Sequence, residues 1–412
     1  MSVAGVPAVP VKVKRRVGEA SATTRTLLEA RHDPNAKPAV RQLREMIQLR
    51  RSTTALSPVE YHKIGLHDLS LYADVDITEV CGSRMRHWLH HTLNNPNWDA
   101  VVTDKAIMAM VFRQAGIPHP ELYAIYTQYD RACGTTPVVR TRSDLEAFMV
   151  NDMPLPAFVK PVKGGSGASC HRIDAVTTDT GTGTGTGTGT ETGTETATGN
   201  VALTIDGGTR LGFDDFINQL HDPTGWGFLL QEAMQPHPDT IPIAGDAVTG
   251  LRMVVLLGDD GPTLFRTIWK LPASGSITDN YGVGDRGNAA AEIDVDTGTV
   301  RTVQWGHRPG ANVNDPHPDT GTHIAGITVP GWTDAVDTTL HAARAFPGFR
   351  FQHWDLGLTN RGPVVYELNS DGDLFDADFP GSRGTYEPQL REFVATYGHD
   401  PQHARHRGTP PK

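Results

Sequence analysis

The hydrophobic pattern in the first quarter of the chain predicts helices. Residues 1–20 show no regular spacing of apolar positions and are expected to be disordered, whereas residues 21–96 read mostly as helix. Ser57–Glu60 marks a helix start, with a serine cap, a proline in the first turn and a glutamate three residues after the cap. Ser83–Leu93 is predicted to form a further helix.

The next segment, TDKAIMAMVFRQAGIPHP, has the apolar spacing of an amphipathic helix. Thr103 is the expected cap, and Ile107, Met110 and Val111 form the expected buried stripe. Lys105 falls in the first turn, against the positive end of the helix dipole, and this placement becomes favourable when a phosphate binds nearby. An isolated lysine at such a position is more often simply solvated.

A strand, a glycine-rich loop and a second strand are predicted within AFVKPVKGGSGASCHRID. Lys160 lies on the first strand. Loops of this composition expose backbone N–H groups and can fold over phosphates, although most short glycine loops are ordinary turns and this one matches neither a Walker nor a Rossmann pattern. The loop residues with candidate phosphate contacts are Gly164, Gly165, Ser166 and Gly167.

The Thr-Gly repeat that follows, Thr177–Asn200, cannot bury a core and is expected to be a flexible surface insertion. After it, a buried strand ends at Gln231 and Glu232. Two β-hairpins are then predicted, with turns at Gly258–Gly261 and Asp296–Gly298. The polar, glycine-rich stretch between these hairpins supplies Asn280 as a candidate ligand contact.

Another hairpin is predicted near the C-terminus, where two strand-like runs flank Asn360–Gly362, with glycine where a positive φ is usually needed. Counting outward from the middle of this loop places Asp355 opposite Glu367, with Asn369 on the same face as Glu367. Two carboxylates about 5 Å apart repel by roughly 3 kcal/mol at an effective dielectric near 20. Such a pair therefore needs a proton, an arginine or lysine, or a metal ion between its members.

The three neutralising groups make different demands on the surrounding sequence. A shared proton suits a glycosidase or aspartic-protease dyad, but neither needs the nearby asparagine or a glycine loop. An arginine bridge is the purely structural alternative. Mg²⁺ fits the whole set better, because it takes oxygen ligands and is usually held by one or two carboxylates plus substrate phosphates. Lys105, Lys160, Arg252 and Lys270 are the cations predicted on neighbouring elements.

Composition limits the class of protein. The 412 residues carry a net charge of −10, although residues 1–51 alone carry +7. No motif turns this basic head into a nucleic-acid site, and no apolar run approaches a membrane span. Three widely spaced cysteines and the absence of a signal-like N-terminus favour a cytoplasmic location.

From about Asn97 to Asp373 the sequence resembles the ATP-grasp superfamily, on the motifs DKAIMAMVFRQAGIPHP, FVKPVKGGSGAS, LLQEAM, LRMVV and WDLGL…VVYELN. The DN…G.G stretch, HPDTGTHIAGITVPGW and the helical N-terminal region resemble its sugar-transfer-associated branch, which is related to alpha-L-glutamate ligases. The resemblance implies an α+β fold in which two α+β subdomains clamp the nucleotide, after a mainly helical N-terminal region. The expected divisions are a tail at 1–20, a helical region at 21–96, a small subdomain at 97–230 with the insertion at 177–200, a C-terminal subdomain with the metal site at 231–397, and a tail at 398–412.

The resemblance also implies a role for each candidate residue. Arg252 and Lys160 would be catalytic, by steadying the transferred phosphate. ATP would be bound by Lys105, Lys160, Gly164, Gly165, Ser166, Gly167, Gln231, Glu232 and Asn280. Asp355, Glu367 and Asn369 would hold two Mg²⁺ ions, with Glu367 bridging them and Mn²⁺ as an alternative metal.

The implied activity is ATP-dependent ligation of a small-molecule carboxylate to an amine through an acyl phosphate, with release of ADP and phosphate. A hydroxyl or thiol acceptor is an alternative. A kinase on the same fold and a non-catalytic ATP-binding scaffold or regulatory module are the rival hypotheses. Candidate substrate contacts, each more often an ordinary loop residue, are Arg286, His323, Asp373 and Arg383.

Overall fold

The computed structural model describes residues 34–72, 76–164, 167, 169–179, 200–222, 224–273, 275–281, 287–306, 312–374 and 383–398. Its first helices are α1 (Ala39–Arg51), α2 (Pro58–Lys63) and α3 (Ser83–Leu93). The predicted capping box at Ser57–Glu60 is confirmed, and Glu60 also accepts a hydrogen bond from the Ser83 backbone N–H at the start of α3. None of the helices within these ranges combines the length and the apolar character that a membrane crossing needs.

The helix that carries Lys105 begins one residue later, and buries another face, than the sequence predicts. Thr103 ends the short helix α4 (Asp99–Thr103), and the carboxylate of Asp104 caps α5 (Lys105–Gln114). Of the predicted stripe, Ile107 and Met110 are exposed, whereas Val111 is partly buried against the core. The helix lies between two cores, and its buried side chains are Ala106, Met108 and Phe112.

The first sheet has the strand order β2-β1-β7-β3-β4-β5-β6, and only β1 and β2 are parallel. Helices α6 (Arg142–Asn151) and α7 (Phe213–Gln219) cover one face with apolar side chains. Its strands are β1 (Leu122–Tyr126), β2 (Val138–Val139), β3 (Ala157–Pro161), β4 (His171–Asp179), β5 (Asn200–Ile205), β6 (Thr209–Gly212) and β7 (Phe228–Glu232).

The second sheet is antiparallel, in the order β12-β11-β10-β9-β8-β13-β14. Its strands are β8 (Gly250–Gly258), β9 (Gly261–Leu271), β10 (Ala289–Ile293), β11 (Val300–Trp305), β12 (Asn312–Val313), β13 (Phe351–Thr359) and β14 (Gly362–Asn369). Three further helices are α8 (Ile241–Ala244), α9 (Trp332–Ala343) and α10 (Pro388–Tyr397). Helices α5 and α9 pack on one face of this sheet, and α3 and α10 pack on the other. Part of the predicted N-terminal helical region thus shares a core with the C-terminal sheet.

Two segment boundaries expected from the sequence fall within strands of the first sheet. Strand β7 crosses the expected division at 230/231, because Gln231 and Glu232 still pair with β3. The Thr-Gly repeat was expected from Thr177, but β4 continues to Asp179, which pairs with Asn200 at the start of β5. Residues 180–199 lie outside the described residues. The repeat therefore joins two neighbouring antiparallel strands.

Candidate functional site

A cavity of about 670 Å³ lies between the two sheets. Its volume falls in the usual range for small-molecule sites. Strand β3 and helix α5 supply Lys160 and Lys105, and the second sheet supplies Arg252, Lys270 and Glu367. The folding of the two sheets thus brings together cations and a carboxylate that lie far apart in the sequence.

Lys160 is a largely buried cation that forms no ion pair within the described residues. Its side chain shares a face of the first sheet with that of Gln231, because Gln231 pairs with Phe158 two residues before the lysine. The pKa of Lys160 is lowered from 10.5 to about 8, chiefly by burial; the charge of Glu367 opposes this shift and that of Lys105 contributes to it. Within the described part of the chain, no hydrogen bond or ion pair reaches its ammonium group. A buried cation of this kind is stabilised by an anionic ligand.

Lys105 joins the glycine loop to the hairpin of β13 and β14. Its Nζ donates to the carbonyl oxygen of Gly164 at 2.5 Å and lies 3.3 Å from Oε2 of Glu367. The predicted position in the first turn of a helix is confirmed. Lys105 therefore neutralises Glu367, one of the two facing carboxylates.

The register of that hairpin agrees with the prediction at the two carboxylates. Asp355 pairs with Glu367, but Leu356 pairs with Val365, so Tyr366 is an extra residue in β14. The Tyr366 hydroxyl occupies the space that a side chain at Gly357 would fill. Gly362 has the expected positive φ of 96°, yet it already pairs with Thr359.

Asp355 is the centre of a buried ionic network. Arg252, its cross-strand neighbour on β8, donates through Nε to Oδ1 at 2.9 Å and through Nη2 to Oδ2 at 2.6 Å. Lys270 Nζ lies 3.1 Å from Oδ1. Burial alone would raise the pKa of Asp355, but Arg252 and Lys270 outweigh it and hold that pKa well below its usual value. Among the described residues, no single arginine pairs with both Asp355 and Glu367: Asp355 pairs with Arg252 and Lys270, and Glu367 pairs with Lys105.

The sequence did not single out Asp279, which extends this network. Its Oδ2 lies 2.9 Å from Lys270 Nζ, and the carboxylate occupies the space beside Gly250 that a side chain there would fill. Burial opposes the ammonium form of Lys270, yet Asp279 and Asp355 raise the net pKa of this lysine. Glycine within the apolar run TGLRMVV was the sequence signal, because a glycine in a strand often marks a close approach by another group.

Asn369 lies beside Asp355, as predicted. Its Nδ2 donates to Oδ2 of Asp355 at 3.0 Å, and no hydrogen bond within the described residues reaches its amide oxygen. The described residues contain no group of three or more histidine, cysteine, aspartate or glutamate side chains arranged to hold a metal. Two carboxylates and one amide oxygen are fewer ligands than Mg²⁺ needs. They suit a Mg²⁺ ion whose remaining ligands are water and the phosphates of a nucleotide.

Gln231 and Glu232 differ in how they meet the cavity, although both line it. Gln231 is buried on the face of Lys160. The carboxylate of Glu232 accepts hydrogen bonds from the Glu121 backbone N–H and from Arg361 at the tip of the hairpin. Glu232 therefore also links the first sheet to the second.

The remaining candidates divide by position. Gly164, Gly167, Asn280 and Asp373 line the cavity, whereas Gly165, Ser166 and Arg286 lie outside the described residues. His323 is exposed away from the lining, and Arg383 pairs with Glu79 and Glu387. Asn288, in the same glycine-rich stretch as Asn280, is fully buried and bonds to the backbone of its own loop, including the carbonyls of residues 278 and 280.

The chain is similar to several solved enzymes at low sequence identity. Carboxyaminoimidazole ribonucleotide synthase from Aspergillus clavatus, complexed with ATP, gives 12% identity and a TM-score of 0.36 over 71% of this chain and 54% of that one. The VanG D-Ala:D-Ser ligase from Enterococcus faecalis gives 13% and 0.38 over 72% and 62%. An L-amino acid ligase from Bacillus licheniformis gives 12% and 0.33 over 66% and 41%. The chain thus spans from 41% to 62% of the lengths of these proteins.

No curated protein sequence gave a match. A family model described as sugar-transfer associated ATP-grasp matches residues 84–389, from helix α3 to the start of α10. The mixed α+β architecture predicted from the sequence is confirmed. Because the match covers well over half of its residues, the chain belongs to the sugar-transfer associated ATP-grasp family.

Proposed function

We propose that the protein is an ATP-dependent ligase that joins a small-molecule carboxylate to an amine, with ATP bound in the cavity between the sheets. The observation that carries the proposal is the ammonium group of Lys160, which forms no ion pair within the described residues and lines the same cavity as the carboxylate of Glu367, the cross-strand partner of the buried Asp355. An anionic ligand stabilises the first group, and a divalent cation stabilises the second. Magnesium with a nucleotide supplies both.

The cavity residues divide into phosphate-binding and metal-binding sets. Lys105 and Lys160 would hold the phosphates from the first sheet and α5, with Gly164 at the start of the loop beside them. Glu367, Asp355 and the amide oxygen of Asn369 would hold the magnesium, which when bound neutralises phosphate oxygens. Gln231 and the neighbouring backbone of β7 would meet the base.

Arg252 and Lys270 would stabilise the charge that develops during phosphoryl transfer. Asp355 fixes the orientation of Arg252 through Nε and Nη2, so Nη1 remains to meet a phosphate oxygen. A substrate carboxylate would attack the γ-phosphate as the bond to ADP breaks, which gives an acyl phosphate and ADP. The amine would then attack the acyl carbon, so that a C–N bond forms, the C–O bond to phosphate breaks, and inorganic phosphate and the amine proton are released. Positioned cations would lower the barrier because they stabilise the negative charge that spreads over the oxygens of the transferred group in the transition state.

The test measures ADP and inorganic phosphate separately. The protein is incubated with ATP, Mg²⁺ and mixtures of carboxylic acids, first alone and then with amines, and Lys160→Met serves as the control for the site. A ligase releases both products in equal amounts and needs both co-substrates. ADP without free phosphate would indicate a kinase, and neither product would indicate a non-catalytic module.

Hydroxylamine makes this test independent of the natural amine. It intercepts an acyl phosphate and yields a stable hydroxamate of the acid. Hydroxamate that depends on ATP, Mg²⁺ and one class of acid would establish the first half-reaction. ATP turnover with every acid tested and no hydroxamate would contradict the acyl-phosphate route.

A further inference from the structure

The end of the cavity beyond Asn369 is formed by a short acidic segment. Asp371, Gly372 and Asp373 follow strand β14 directly and line the same cavity as Lys105 and Glu367. The side chains of Asp371 and Asp373 are 43% and 67% exposed. Two further carboxylates therefore face the place where the proposed function puts an anionic nucleotide and its metal.

Helix α3 holds this segment from outside the sheet. Arg86 forms ion pairs with both acids, through Nη1 to Oδ1 of Asp373 and through Nε to Oδ1 of Asp371 at 3.4 Å. His87 Nδ1 lies 3.1 Å from Oδ2 of Asp371, and His90 Nε2 lies 3.1 Å from the carbonyl oxygen of Gly372. One turn of α3 thus contacts all three residues of the segment.

The same helix also holds the other strand of the hairpin. Asn94, just after α3, pairs through its side-chain amide with the backbone of Phe351 at the start of β13, with both hydrogen bonds at 2.9 Å. Gly372 packs so closely on the ring of His353 that a side chain there would overlap it. The open end of the hairpin is therefore fixed between α3 and the sheet.

We infer that Arg86 is a positioning residue of the nucleotide site. It offsets one of the two negative charges of Asp371 and Asp373 and restrains both side chains, so that they repel the phosphates less and compete less with Asp355 and Glu367 for the metal. Without Arg86, neither of the two negative charges of the segment would be offset by this arginine. Their Coulomb repulsion of phosphates bound in the same cavity would weaken nucleotide binding measurably. This inference rests on the proposed function, since it requires a magnesium nucleotide in the cavity.

Titration calorimetry of the full chain with Mg·ADP tests the inference. Arg86→Gln is expected to weaken Mg·ADP binding by roughly five- to tenfold, because one neutralising charge is lost close to the phosphates. The loss should shrink in 0.5 M NaCl, where the Debye length falls to about 4 Å. Arg86→Lys should keep most of the affinity. Arg84→Gln removes the same charge from an exposed position on the same helix, and it should bind like the wild type.

Variants that remove the carboxylates of Asp371 and Asp373 test whether Arg86 acts through its charge or only through its structural role. The variant R86Q/D371N/D373N should recover the affinity of the wild type within about twofold, and D371N/D373N alone should bind Mg·ADP more tightly than the wild type. Unchanged binding in Arg86→Gln, or a loss that persists in the triple variant, would overturn the inference. If Arg86→Gln fails to fold, weaker or unchanged binding in D371N/D373N overturns it. A wild type that does not bind Mg·ADP would instead count against the proposed function.

Discussion

Asp355 and Arg252 face each other on neighbouring strands, and the guanidinium donates to both oxygens of the carboxylate. Lys270 contacts the same carboxylate, so a residue predicted to hold metal is the counter-ion of two buried cations. If magnesium binds as proposed, nucleotide phosphates must take over part of the role of Asp355 as the partner of Arg252 and Lys270. Metal and nucleotide binding would therefore depend on each other.

The first prediction concerns the stability that Asp355 provides. Asp355→Asn leaves Arg252 without its carboxylate partner and Lys270 with Asp279 alone. It should therefore lower the free energy of unfolding by about 2–4 kcal/mol. Urea unfolding at pH 7 measures this change. Asp259→Asn is the matched control, because Asp259 pairs with Arg350 at an exposed site and should contribute less than about 1 kcal/mol. Equal effects in the two variants would contradict the buried network.

The second prediction is that Lys160 lowers the stability of the protein but strengthens nucleotide binding. Because burial disfavours its ammonium group, Lys160→Met should raise the free energy of unfolding at pH 7 by roughly 1–3 kcal/mol in protein without nucleotide. The same substitution should weaken binding of Mg·ADP at least about tenfold. Thermal unfolding with and without Mg·ADP measures both effects. A variant that is less stable and binds normally would show that the lysine has only a packing role.

The stability gained in Lys160→Met should depend on pH, because the pKa of Lys160 is lowered. Below about pH 8 the lysine is charged in both the folded and unfolded protein, so the burial cost is present in full. Between about pH 8 and pH 10 the folded protein releases the proton while the unfolded chain keeps it, and the stability of the wild type rises relative to the variant. The advantage of Lys160→Met should therefore shrink across this interval. A constant difference would contradict the assignment of the shift to Lys160.

Much of the site was predictable because its residues lie on regular elements. Lys160 on a strand, Lys105 in a first turn and Asp355 opposite Glu367 all follow from local pattern and alternation. The facing pair was predicted correctly, but two deviations cancelled. The strands already pair at Gly362, and the extra residue Tyr366 then restores the counted register at the carboxylates.

What the sequence could not provide is the contact between distant segments. Asp279 enters the site from an irregular loop, and Arg86 reaches it from a helix in the N-terminal region. Neither position follows from local periodicity. The predicted stripe of Ile107 and Met110 was wrong because α5 lies between two cores, and a single-face pattern does not predict that arrangement.

The third prediction tests the bulge. Gly357→Ala places a methyl group where the Tyr366 hydroxyl lies, so the Tyr366 ring must move, and Glu367 is the next residue of β14. We expect weaker Mg²⁺-dependent nucleotide binding and a loss of about 1–3 kcal/mol of stability. The double variant Gly357→Ala/Tyr366→Leu replaces the tyrosine ring by a smaller side chain. It should restore part of the nucleotide binding and part of the stability. Gly212→Ala is the control, because its added methyl would meet nothing closer than 3.8 Å.

The fourth prediction concerns the Thr-Gly repeat. Replacement of residues 180–199 by Asn-Gly should leave nucleotide affinity within about twofold of the wild type, since β4 and β5 already pair from Ile173 with Ile205 to Asp179 with Asn200. A shorter loop also costs less entropy to close, so stability should stay equal or rise. Circular dichroism melting and calorimetry provide the two measurements. A shortened protein that does not fold would show that the repeat is structural.

Glu367→Gln offers the most direct test, because it removes one negative charge from the hairpin and keeps the shape of the side chain. Binding of a non-hydrolysable ATP analogue is measured by calorimetry with and without Mg²⁺, in the wild type and in this variant. We predict that Mg²⁺ strengthens binding of the analogue to the wild type at least about tenfold. The variant should stay folded but lose this enhancement. With ATP in place of the analogue, the variant should release no ADP. A variant that keeps the full Mg²⁺ enhancement and turns over ATP would contradict a metal site at Asp355 and Glu367.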